Sequence, residues 1–98
     1  MIKVKMNSDA IIIKGHANFS DYGKDIVCAS VSSIVIASVN DMMTVNKNSI
    51  AYNDDGDELI IKVIKEDELI LKLFNNLKAL LKNLADDYPK NIKIDSEE

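Results

Sequence analysis

Apolar and polar residues alternate from the start of this chain. In IKVKM (residues 2–6), lysines separate Ile2, Val4 and Met6, the period-two spacing of a strand with one buried face. NSD then reads as a turn, and AIIIKG from Ala10 as the returning strand of a hairpin that Gly15 ends. The irregular segment HANFSDYGK follows. From Ile26 the spacing turns helical, with Val27, Val31, Ile34, Val35, Ser38 and Met42 on one side and Asp25 just ahead as an N-cap. This helix is predicted to end near Asn46–Asn48. SIAY and ELIIKVIK read as two strands joined by NDDGD, a turn of residues that tolerate positive φ. Acidic residues 66–68 open a second helix, where they complement the helix dipole. Ile70, Phe74, Leu77, Leu81 and Leu84 give that helix its apolar stripe, and Pro89 stops it. NIKI is a last short strand before an acidic tail, DSEE.

The order ββαββαβ, without a repeat or linker, predicts one α+β domain over residues 1–98. Two helices then pack on one face of a mixed or antiparallel sheet. No unbroken apolar run is longer than the four residues Ile34–Ala37, far below the ~20 of a membrane helix, so no membrane association is expected. The alternating start does not resemble a secretory signal.

Charge and cysteine content narrow the functional classes. All twelve basic residues are lysines, and the formal net charge is −4. The lack of guanidinium forks and the acidic balance argue against direct nucleic-acid binding and favour a basic partner. One cysteine cannot form an internal disulfide, which points to a reducing cytoplasm. One cysteine and one histidine also cannot complete a zinc site within the chain, so no metal or cofactor is expected.

That cysteine and that histidine sit in the same stretch, GHANFSDYGKDIVCASVSS (residues 15–33). Cys28 falls in the first turn of the predicted helix, where unpaired N–H groups and the dipole favour a thiolate. His16, leaving the second strand, can meet it across the intervening loop as the neighbouring base. Ser32, one turn later, lies on nearly the same helix face and can hydrogen-bond into such a site. Competing readings hold on the same residues: Cys28 as a small buried hydrophobe, His16 as a turn residue, and Asp25 as a plain helix cap rather than a catalytic carboxylate.

GHA followed after a loop by GKDIVCASVSS resembles the signature of the ribosomal-processing cysteine protease family. Gly15, His16, Ala17, Gly23, Asp25, Ile26, Val27, Cys28, Ala29, Val31 and Ser32 carry the resemblance. Asn18 and Ser30 depart from it, at positions where glycine and alanine are usual. The resemblance, which extends to length and element order, implies a homodimeric cysteine endopeptidase. Its substrate would be the N-terminal extension of the large-subunit ribosomal protein L-twenty-seven, cut after an aromatic and before a small residue. Cys28 then matches the nucleophile and His16 the general acid/base, with Asp25 and Ser32 in support. Phe19 and Tyr22, aromatics in a polar loop, become candidates to grip the substrate, with Phe19 as an anchor of the loop to the sheet the competing reading. Rival readings are a non-catalytic, dimeric ribosome-associated binding module, a thiol redox sensor acting through Cys28 alone, and a structural subunit.

Overall fold

Alternation builds the sheet as the sequence predicts. The computed structural model describes residues 1–15 and 25–97, with Asp25 described by its backbone alone. The elements are β1 (Ile2–Met6), β2 (Ala10–Lys14), α1 (Asp25–Val45), β3 (Ile50–Asp54), β4 (Glu58–Val63), α2 (Glu68–Asp87) and β5 (Ile92–Ser96). They form a mixed five-stranded sheet in the order β3-β4-β2-β1-β5. The two hairpins, β1–β2 and β3–β4, pair antiparallel as expected, and β2 joins them by pairing antiparallel with β4. Only β5 runs parallel to its neighbour, β1, which it reaches through the α2 crossover.

Both helices cover one face. Ile2, Val4 and Met6 of β1, Ile11 and Ile13 of β2, and Leu59, Ile61 and Val63 of β4 are buried there. Val27, Val31, Val35, Val39 and Met42 of α1, with Ile70, Phe74, Leu77 and Leu81 of α2, complete the same cluster. Apolar residues and short polar ones follow one another in α1 with few charges, so it is long and apolar enough to cross a membrane by length and composition. Its valine stripe, Val27, Val31, Val35 and Val39, is packed into the core.

Side-chain acceptors make the turns. Asn7 Oδ1 accepts from the N–H groups of Asp9 (3.1 Å) and Ala10 (2.8 Å), closing the first hairpin. Asp54 Oδ1 accepts from Gly56 N (3.0 Å), and Asp55 Oδ1 from Asp57 N (3.0 Å) and Glu58 N (2.8 Å). Asp67 caps α2 by accepting from Leu69 N at 2.8 Å, so one residue of the acidic run has a specific capping role.

Three boundaries differ from the expectation. β3 continues through Asn53 and Asp54, β4 stops at Val63, and β5 takes in Asp95 and Ser96 of the acidic tail. Cross-strand pairing outweighs composition here: Asp54 pairs with Leu59, and Ser96 with Met6. Lys78 is buried on α2, its ammonium donating to Asn7 O at 3.2 Å and lying 5.4 Å from the centre of the Phe74 ring.

Candidate active site

The strand directions place the candidate nucleophile at one end of the sheet. There β2 ends, β1 and β5 begin, the β3–β4 turn folds over, and α1 starts down across the core. Cys28 is in the first turn of α1 and is half-buried. On either side of it, Val27 faces the core while Ile26 and Ala29 face outward, so the helix sets its thiol at the margin between core and surface. This is where the N-terminal N–H groups and the positive end of the helix dipole concentrate, which favours thiolate over thiol.

Ser32 lies one turn further along, also half-buried, on the same side of α1 as Cys28. Ser30 turns away from any such role: its hydroxyl donates to Ile26 O at 2.8 Å, within the helix. The helix begins at Asp25, one residue earlier than the capping pattern predicts. The Asp25 side chain, His16, Phe19 and Tyr22 lie outside the described residues.

Gly15 is where the strand hands over to the segment containing His16. Its φ is +85°, and a Cβ there would meet Met1 O at 2.7 Å. Only glycine satisfies both conditions. The structure shows a tight approach of two backbones at this position. That contact lies at the open end of the β1–β2 hairpin, one step beyond the Lys3–Lys14 pair.

The β3–β4 turn brings carboxylates to the same end of the sheet. The Asp55 carboxyl is held below its ordinary range by the backbone N–H of Glu58, then by that of Asp57. Nearby, Tyr52 is pushed up by burial and then by the Asp54 charge. Among the described residues, no group of three or more His, Cys, Asp or Glu side chains is placed to hold a metal ion. The arrangement at Cys28 suits a nucleophile at a helix start.

Comparison with known proteins gives concordant matches. The sequence model of the family described as "Cysteine protease Prp" matches residues 1–93. The ribosomal processing cysteine protease Prp of Mycoplasma genitalium is 32% identical over 97 residues, covering 99% of this chain and 97% of that protein. A crystal structure of a Streptococcus mutans protein superposes with a TM-score of 0.87 at 26% identity, covering 98% of this chain and 93% of that one. The essential ribosomal processing protease Prp of Staphylococcus aureus, crystallised with a covalently linked product peptide, gives 0.86 at 25% identity, with 99% and 100% covered.

Proposed function

The chain belongs to the cysteine protease Prp family, and from that membership we propose that it is the endopeptidase that removes the N-terminal extension of ribosomal protein L-twenty-seven. The observation that carries this reading is Cys28, half-buried in the first turn of α1, inside a chain that matches the family over nearly its whole length. The covalently linked product peptide on the Staphylococcus aureus relative supports acyl-enzyme chemistry here.

In the proposed reaction the Cys28 thiolate attacks the scissile carbonyl carbon and forms a C–S bond. The tetrahedral oxyanion is met by backbone N–H groups at the start of α1, from Ala29 or its neighbours. As the C–N bond breaks, His16 gives a proton to the departing amine. A water then attacks the thioester, His16 takes its proton, and the acid product leaves with the thiolate restored. Asp25 and Ser32 support the dyad, and Phe19 and Tyr22 contact the peptide beside the cut.

The enzyme works in the cytoplasm as a homodimer in this reading. What supports the dimer is the outer side of α1. Ile26 and Ile36 are 63% and 54% exposed there, with Ala29, Ser33 and Ala37 between them. Asp25 and Asp41 are the helix's only charged residues. An uncharged helix side of this length suits a copy of itself. Ile36→Lys is expected to yield monomers by light scattering.

Incubation with a peptide spanning the L-twenty-seven extension, followed by mass measurement, tests the reading. Wild type is expected to cut once, and Cys28→Ala and His16→Ala to show no cleavage with melting temperatures near that of wild type. A Cys28→Ala protein with normal turnover removes the protease mechanism. An intact peptide with wild type favours the binding-module reading. Phe19→Ala should lower kcat/KM and leave stability nearly unchanged if Phe19 grips the substrate.

A further inference from the structure

The sheet face turned away from the helices carries a charge pattern that the overall composition hides. Alternation sends every second residue to that face, and the register decides which of them become neighbours. Lys14 pairs with Lys3 across β2 and β1, and Lys3 pairs with Lys93 across β1 and β5. Three lysines thus stand side by side on consecutive strands, in a row about 10 Å long. Lys5 lies in the next row, and Lys62 on β4 shares the face. Against these five lysines the described residues of the face set three carboxylates, Glu58, Asp95 and Glu97. The whole chain is acidic, at −4, so cationic charge is segregated here.

Like charges directly opposite one another on paired strands are destabilising. Lys14 is relieved by Glu58 at 3.2 Å, and Lys5 by Glu97 at 3.3 Å. Among the described residues, no carboxylate comes within ion-pair distance of Lys3 or Lys93. A shallow depression of about 370 Å³ runs between these side chains, with Ile12 in its floor.

We propose that this open face docks the phosphodiester backbone of single-stranded RNA. The row of lysines, three side chains on neighbouring strands, complements the backbone of one strand with one negative charge per nucleotide. Lysine is depleted at protein interfaces, and among the described residues the face has no aromatic anchor for a bilayer. Without an arginine, and without an aromatic ring among its described residues, it contacts phosphates and leaves base edges unread. Binding is therefore sequence-blind and salt-sensitive. This surface lies across the sheet from α1, so it can be occupied while Cys28 works, and the proposal stands independently of the protease reading.

The test is fluorescence anisotropy of a labelled twelve-residue oligouridylate with the full chain. Three phosphates neutralised on a single strand predict about a twentyfold loss of affinity between 50 and 200 mM KCl. The variant Lys3→Gln/Lys14→Gln/Lys93→Gln is expected to bind at least about tenfold more weakly and to lose most of that salt dependence. The matched control Lys47→Gln/Lys65→Gln/Lys82→Gln removes the same charge elsewhere and should bind as wild type does. Should the first variant fail to fold, Lys93→Gln alone should reduce the salt slope by about a third. Absence of binding at 50 mM KCl, equal loss in the two triple variants, or equal affinity for an oligoglutamate peptide overturns the proposal.

Discussion

Two glycines with nearly the same backbone angle separate conformational strain from steric contact. Gly15 has φ +85° and Gly56 has φ +93°. A Cβ on Gly56 meets nothing within 4 Å, whereas one on Gly15 would lie 2.7 Å from Met1 O. Gly56→Ala should therefore cost only the penalty for a left-handed L-residue, about 1–2 kcal/mol. Gly15→Ala carries that penalty and must also displace the Met1 carbonyl. The carbonyl has little room to yield, because the next residue, Ile2, is buried and its N–H is bonded to Asn91 O at 2.8 Å. Losing or stretching that hydrogen bond adds about 1 kcal/mol, and strain in the adjoining backbone about another 1–2 kcal/mol. The total for Gly15→Ala is then roughly 3–5 kcal/mol, a large part of the stability of a small domain. Urea unfolding of both variants, with unchanged m values, measures the difference. Because His16 follows Gly15 in the chain, Gly15→Ala should also lower kcat/KM per folded molecule, and Gly56→Ala should not. Equal losses of stability would refute the close approach of Gly15 to Met1.

Phe74→Ala removes a fully buried ring that also lies under the Lys78 ammonium, and should cost about 3–5 kcal/mol in urea unfolding. Asp67→Ala removes the acceptor of Leu69 N and should lower stability by about 1 kcal/mol, with Asp67→Asn recovering most of it. Asp55→Ala should lower the melting temperature at neutral pH. The Asp55 pKa is depressed in the folded state, so its stabilisation is present above the unfolded value, near 3.8, and is lost as pH falls through the folded one. The wild-type and Asp55→Ala melting temperatures should therefore converge on acidification below that value, and a constant gap would show that the carboxylate's charge does not matter.

The local elements follow from the sequence by itself, because their causes are local. Period-two alternation at Ile2, Val4 and Met6 makes β1, and the stripe through Ile70, Phe74, Leu77 and Leu81 makes α2. Asn7 and the Asp54–Asp57 run make tight turns by bonding their own neighbouring N–H groups. The same locality puts Cys28 in the first turn of a helix, and the motif around it carries the family membership. What the tertiary structure alone decides is how strands distant in the chain are matched. β5 could close either edge of the sheet, and its parallel pairing with β1 draws Asp95 and Ser96 of the acidic tail into a strand. The contact between Gly15 and Met1 is set by the β1–β2 register, one step beyond the Lys3–Lys14 pair. Net charge is a sum over the chain and carries no positions. Only the register across β2, β1 and β5 puts Lys14, Lys3 and Lys93 in one row, giving an acidic protein a basic face.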